Sequence, residues 1–378
     1  MIPLSIPNLA GNEWAYVKQC LDTGWVSSAG KFVNQFEDEV RGFTGAGHAI
    51  ACMNGTAALH VAQIIAGVGP GDLVIAPNIT FVATLNSISY TGAEAILLDT
   101  NPATWQLDLD VLERFFEEEC ELTDQGLIHK ADGKTIKAVM PVHVLGNMCD
   151  MARLSELCTR VSAPIIEDST EALGSTFRGK HAGTFGLFGT SSFNGNKIIT
   201  TGGGGMIFTN DADLAARAKH LTTTAKTDPL DYFHDEVGYN YRLVNILAAV
   251  GVAQMEQLSG IIETKKFIDE YYRSELAGVG DIRFQKITDG VDANCWLFTF
   301  RTSRMRELLT YLNANGVQSR PFWTPMNQLP MYNGYRYYHV SDESSKLHAE
   351  AISIPSSSNL TETDLATVVA TIKNFYAS

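Results

Sequence analysis

Lys197 sits in Ser192-Phe193-Asn194-Gly195-Asn196-Lys197, a polar turn between the apolar run Phe185 to Phe193 and the glycines Gly202-Gly203-Gly204-Gly205. A lysine amine that sheds its proton can add to an aldehyde and anchor it as a Schiff base, and a short turn lets that amine swing away once displaced. Upstream, Ala163-Pro164-Ile165-Ile166-Glu167-Asp168 reads as a buried strand ending in an acid. An ionised aspartate there can keep a ring nitrogen protonated, so that the ring accepts electron density from a breaking C–H bond. The glycines leave backbone bare, which lets a flat or bulky group come close. A lysine and a strand-end aspartate are two of the groups that chemistry on pyridoxal phosphate requires.

Other residues fit the same chemistry. Asn54-Gly55-Thr56-Ala57-Ala58 opens an apolar helix, and small residues with free N–H groups at a helix N-terminus can cradle a phosphate. Ser192 offers a further hydroxyl to that phosphate, Glu171 can reach a cofactor hydroxyl if the chain after Asp168 curls as a turn, and Phe81 can stack on a ring. Each has a plainer reading when taken singly: a surface lysine, an N-cap, a loop acid, a core aromatic. Rival motifs fail on their residues. Gly45-Ala46-Gly47 is followed by Ile50 where a dinucleotide fingerprint needs glycine, and Gly174 to Lys180 continues into His181 where a P-loop needs Ser or Thr. No His-Glu-x-x-His and no Cys-x-x-Cys is present, so no metal is expected.

The elements that must position these groups follow from periodicity. Apolar pieces at Ala49 to Met53, Leu73 to Ala76, Ala95 to Leu98, Ala138 to Val144, Pro164 to Glu167, Gly189 to Phe193 and Gly204 to Phe208 read as strands. Helical patterns lie between the earlier ones, at Thr56 to Ala66, Phe81 to Tyr90, Leu109 to Glu119 and Met151 to Val161. Strands apolar on both faces that alternate with helices predict an α/β fold with a mainly parallel sheet flanked by helices. The last two strands have no helix between them and are expected to pair as a hairpin. A helical stretch from Val244 to Leu276 with a break at Gly260 comes next, then a strand over Cys295 to Arg301 and a helix over Met305 to Asn313. Ile352-Ser353-Ile354-Pro355 and a helix opened by the capping box Thr361-Glu362-Thr363-Asp364 end the chain. This order predicts a large domain over residues 1–254 and a smaller α+β domain over 255–378.

Composition bounds the partners. With 378 residues, 45% of them hydrophobic and 19% charged, the chain is an ordinary globular protein. A net charge of −14 without a basic stripe argues against a nucleic-acid surface, and an anionic substrate needs a local cluster of cations. No window reaches the roughly 20 apolar residues of a membrane span, and the N-terminus lacks a signal-peptide pattern, so a cytoplasmic protein is expected.

Taken in order, these pieces resemble the fold-type I pyridoxal phosphate enzymes of the DegT/DnrJ/EryC1/StrS sugar aminotransferase family. The likeness is carried by Gly30 to Glu37, Asn54 to Ala58, Thr80 to Asn86, Pro141-Val142-His143, Glu167-Asp168 to Gly174, Ser192 to Lys197 and Gly238 to Arg242. It implies a homodimer with shared active sites, in which Lys197 carries the cofactor and Asp168 pairs with its nitrogen. Gly55, Thr56 and Ser192 then hold the phosphate, with Asn240 reaching it from the other subunit, and Phe81 stacks on the ring. Lysine at 197 favours amino transfer, because family members that dehydrate sugars carry histidine there. Glu171 stands where many members have glutamine, and Asn327 where many have histidine. The pattern is most similar to enzymes that use glutamate to aminate C-4 of UDP-linked 4-keto-6-deoxy-N-acetylhexosamines, on routes to bacillosamine and legionaminic acid. GDP- and dTDP-sugar enzymes share much of it. The implied cycle releases 2-oxoglutarate, Lys197 moves the proton in both halves, and Arg242 and Arg320 are candidates for the glutamate carboxylate or the sugar diphosphate.

Overall fold

Leu73, Val74, Ile75 and Ala76 are apolar on both faces of the pleat and completely buried, which is possible only for a strand covered on two sides. In the computed structural model, which describes residues 1–228 and 230–377, that strand (Leu73–Pro77) lies parallel to Glu94–Leu98 on one side and Ile136–Val139 on the other. Single bridges, Val139 to Ile165 and Val142 to Asp168, carry the sheet on to Ile166–Asp168, which runs parallel to Phe188–Ser192. Gly205–Thr209 then runs antiparallel between Phe188–Ser192 and His48–Cys52. The sheet is therefore mainly parallel, as expected, and its one reversed strand is the second arm of the expected hairpin.

Helices cover it because their caps and apolar stripes fit the pattern. Asp108, Asp150 and Asp211 each accept first-turn N–H groups at the starts of Leu109–Glu119, Met151–Arg160 and Ala212–Thr222. Lys31–Thr44, not assigned from the sequence, buries Phe32, Val33, Phe36 and Val40, a spacing that places them along one helical face. Glu13–Thr23 was likewise unassigned and buries little on its own chain, only Glu13 and Cys20.

Several expected boundaries move. Gly260 does not break a helix; it lies exposed inside Leu258–Leu276, and the break falls at Glu256 and Gln257, after Asn245–Met255. Glycine costs a helix about 1 kcal/mol relative to alanine, and the face carrying Ile261, Ile262, Ile268 and Tyr272 outweighs that by packing inward. The strand expected to reach Val144 stops at Val139, because the chain turns into the short helix Val144–Gly146 with Leu145 at φ 61°. Phe81 precedes its helix, which begins at Ala83. Of the strand expected over Cys295 to Arg301 only Thr299–Arg301 forms.

A second sheet, with strands in the order Arg283–Phe284, Thr299–Arg301, Ala351–Ser353, Arg320–Pro321, is antiparallel throughout. Helices Leu258–Leu276, Met305–Ala314 and Glu362–Ala377 pack on it through Tyr272, Leu308, Leu312, Val368 and Ile372. The capping box forms as read: Thr361 Oγ1 accepts from Asp364 N at 3.1 Å, and Asp364 Oδ2 accepts from Thr361 N at 3.0 Å. The C-terminal third also reaches back, since Tyr337–Tyr338 adds a parallel strand beside Glu94–Leu98. No helix among the described residues is long and apolar enough to cross a membrane. All six cysteines are free thiols, and five of them are buried.

Candidate active site

The loop from Phe193 to Gly204 joins two antiparallel strands whose last paired residues are Ser192 and Gly205. Phe193 N donates to Gly204 O at 2.8 Å, Thr201 N to Phe193 O at 2.9 Å, and Lys197 N to Asn194 O at 3.1 Å, which fixes the turn. Trp296, from the far end of the chain, donates its indole N–H to Asn196 O at 2.7 Å. Lys197 consequently points inward, with a side chain only 12% exposed. Its Nζ lies 4.2 Å from the Trp296 ring centre and 3.7 Å from Glu171 Oε1. The glycines do not all serve a ligand. A Cβ on Gly205 would lie 2.4 Å from the backbone of Asn54, so that glycine admits the start of a neighbouring helix. Gly203 and Gly204 do line the cavity that Lys197 enters.

Asp168 ends its strand inside the same cavity, 3% exposed. Its Oδ2 accepts from Thr84 Oγ1 at 2.7 Å, and its Oδ1 accepts from Thr170 Oγ1 at 2.7 Å and Thr170 N at 3.2 Å. Thr84 Oγ1 is itself 2.7 Å from Thr80 Oγ1. Neutral donors thus hold a buried carboxylate in place, and no cation among the described residues pairs with it. The preceding residue, Glu167, faces the other side of the strand, where it accepts from His143 and from Gly183, Phe185 and Gly186 N–H groups.

The helix Gly55–Ile65 starts at the cavity wall. Asn54 Oδ1 accepts from Ala57 N at 2.7 Å, which uses the Ala57 donor and leaves the Gly55 and Thr56 N–H groups for an anion. Ala57, part of the expected phosphate cradle, has its N–H taken by Asn54, is buried and does not line the cavity. Ser192 stands against this cradle so closely that a Cβ on Gly55 would be 2.9 Å from its own. Glu171 is buried on the opposite wall, where its Oε2 accepts from Leu145 N at 2.9 Å. Burial pushes its carboxyl up to about 7, against the pull of Lys197 beside it.

The mouth of this cavity of about 670 Å³ is aromatic and carries the guanidinium of Arg320. Phe81 is 53% exposed there, 6.4 Å from the ring of Trp323, which stacks on Phe322 at 4.8 Å. Arg320 lines it with a guanidinium that donates only to Ser319 O among the described residues. His348 closes the rim with Nδ1 at 3.1 Å from the Phe322 and Trp323 carbonyl oxygens; carbonyls only accept, so that nitrogen carries the hydrogen.

Two expected contacts, Arg242 and Asn327, are not in the cavity, and Asn240, expected to serve the other subunit's site, lies outside its own chain's. Arg242 is buried elsewhere, with its guanidinium committed to both oxygens of Glu37 and to Ala51 O, so it is corrected to a structural ion pair. Asn327 exchanges hydrogen bonds with Asn78, its N donating at 2.9 Å and its Oδ1 accepting at 3.0 Å, which locks the loop instead of facing a substrate. Asn240 is exposed. Thr84, Thr170, Trp296 and His348 were missed. The threonines had a local signal in their nearness to Phe81 and Asp168, whereas Trp296 and His348 are brought in only by the fold.

The group implied by the sequence fits these residues. An inward lysine, a buried carboxylate held by neutral donors and a helix N-terminus with free N–H groups match the aldehyde, the ring nitrogen and the phosphate of pyridoxal phosphate.

Comparison with known proteins identifies the family. Residues 7–373 match the model of the DegT/DnrJ/EryC1/StrS aminotransferase family. GDP-perosamine synthase of Caulobacter vibrioides is 38% identical, with 98% of this chain and 97% of that protein covered. GDP-perosamine synthase of Vibrio cholerae is 37% identical over 100% of this chain and 99% of its own. Among solved structures, a DegT DnrJ EryC1 StrS aminotransferase from Brucella abortus superposes with a TM-score of 0.89 at 26% identity, covering 97% of this chain and 96% of that one.

Proposed function

The chain belongs to the DegT/DnrJ/EryC1/StrS aminotransferase family, whose cofactor is pyridoxal phosphate, and from that premise we propose that it moves the amino group of glutamate to C-4 of a nucleotide-linked 4-keto-6-deoxy sugar. The observation that carries this reading is the Lys197 amine, turned into a cavity of about 670 Å³ that it shares with the buried Asp168 carboxylate. When bound, pyridoxal phosphate supplies an aldehyde carbon for amines and a ring that draws off electron density.

The protein's own groups do the rest. Lys197 would hold the cofactor and, in each half-reaction, take or return the proton at the substrate carbon that bears the nitrogen. Asp168, fixed by Thr84 and Thr170, keeps the ring nitrogen charged. Gly55 and Thr56 N–H groups and the Ser192 hydroxyl bind the phosphate, and Phe81 covers the ring. Arg320, whose guanidinium at the rim donates only to Ser319 O among the described residues, receives a carboxylate or the sugar diphosphate. Asn240, exposed beyond its own cavity, serves the site of a second copy in a homodimer. We place the boundary between the two domains at residues 254 and 255.

Two relatives of near-identical length that make GDP-perosamine move the substrate reading from the UDP-linked N-acetylhexosamine expected from the sequence to a GDP-linked sugar. The test uses the protein with its cofactor bound. Glutamate alone should abolish the visible band of the cofactor, and a panel of GDP-, UDP- and dTDP-4-keto-6-deoxy sugars should restore it, fastest with the GDP sugar. A band unmoved by glutamate would contradict amino transfer and favour a binding protein that merely retains the cofactor.

A further inference from the structure

We propose that Glu171 is the proton partner of Lys197: its carboxylate accepts the proton the ammonium must lose before the amine can act, and returns it afterwards. This rests on the reading of Lys197 as the reactive amine. Bond by bond, an N–H of Lys197 breaks as an O–H forms on Glu171 Oε1, which leaves a neutral amine beside a neutral acid with no other reactant needed.

The geometry sets these two groups side by side, and a shift of roughly half an ångström brings them to hydrogen-bond distance. Oε1 lies 3.7 Å from Lys197 Nζ, and both side chains are withdrawn from solvent, at 12% and 2% exposure. The other oxygen, Oε2, is occupied by the Leu145 N–H, so the carboxyl is held with one face toward the lysine. That N–H is aimed by an unusual turn, with Leu145 at φ 61° followed by Gly146 at φ 84°. The turn has no room for change: a Cβ on Gly146 would lie 1.8 Å from Asn294 Oδ1, and Asn294 Nδ2 donates to Glu171 O at 2.8 Å. The charged groups that act on Glu171 are Lys197, from the loop opposite, and Asp168, at the strand end on its own segment. Trp296 faces Lys197 from the remaining side and is neutral. A carboxyl that titrates at about 7 in this setting can take a proton and give it back near neutrality. Glutamine, the residue many relatives carry here, would keep the shape and could not exchange a proton.

The test is Glu171→Gln, with Glu171→Asp as a second variant that keeps the acid and shortens its arm. In wild type, the rate of the glutamate half-reaction should fall toward acid pH, because the protonated acid no longer accepts. In Glu171→Gln that acid limb should vanish and the plateau should drop roughly tenfold, a part of the ~10²–10⁴ that a positioned base supplies. Glu171→Asp should keep a limb while losing rate. A second readout needs neither cofactor nor turnover. In the apoprotein, trace labelling of Lys197 by acetic anhydride, followed by peptide mass spectrometry, should rise with pH, pause near 7 as Glu171 ionises beside it, then rise again. Glu171→Gln should show no pause. An acid limb and a pause that both persist in the glutamine variant would overturn the proposal while leaving amino transfer intact. A wild-type protein inert to glutamate at every pH would overturn both.

Discussion

A Lys197→Ala protein is expected to retain its fold and to lose about 10²–10⁴-fold or more of its amino-transfer rate with glutamate and keto sugar, measured as steady-state kcat. The fold should survive because Lys197 Nζ makes only two interactions among the described residues. One is a 3.7 Å approach to Glu171 and the other a contact over the Trp296 ring, while the turn itself is held by backbone hydrogen bonds. The rate should collapse because the amine has two tasks, holding the cofactor and carrying the proton, and alanine does neither. Among the described residues, no other lysine lines the cavity. A variant that turned over within a few-fold of wild type would remove Lys197 from the chemistry.

Asp168→Asn is expected to cost about 10²–10³-fold in kcat, the scale seen when one preorganised electrostatic contact is removed from a buried site. Asparagine matches aspartate in shape, and the oxygen of its amide can still accept from one of the two threonines. Its NH₂ end cannot accept from the hydroxyl that now donates to that oxygen. What is lost beyond this is negative charge beneath the ring nitrogen. In the cofactor-free protein that charge has no cationic partner among the described residues, so its removal should leave thermal stability close to wild type. Holding the cofactor and melting normally while losing the rate would be the signature of an electrostatic role. A melting temperature that fell with the rate would instead make Asp168 a structural acid.

Residues near one another in the chain were legible in the sequence; those joined only by the fold were not. Lys197 could be placed because glycines and an apolar strand surround it, and Asp168 because Ile165 and Ile166 announce the strand it ends. Gly55 and Thr56 declared themselves by opening an apolar helix. Trp296 and His348 gave no such signal: the first reaches the lysine turn through Asn196 O, and the second reaches the rim through two carbonyls. Arg242 misled for the opposite reason. An arginine beside a plausible motif looks available until the fold shows Glu37 spanning it. Gly260 misled because intrinsic helix propensity is worth about 1 kcal/mol, less than the face of a long helix gains by packing.

The central claim is that the ε-amine of Lys197 is where the cofactor is fastened. Borohydride reduction of the protein with pyridoxal phosphate bound, followed by digestion and mass spectrometry, tests it directly. The account predicts that the peptide containing Lys197 gains the mass of one reduced cofactor and that the Lys197→Ala protein gains none there. Label spread over surface lysines, or placed on another residue of the cavity with Lys197 unmodified, would contradict it.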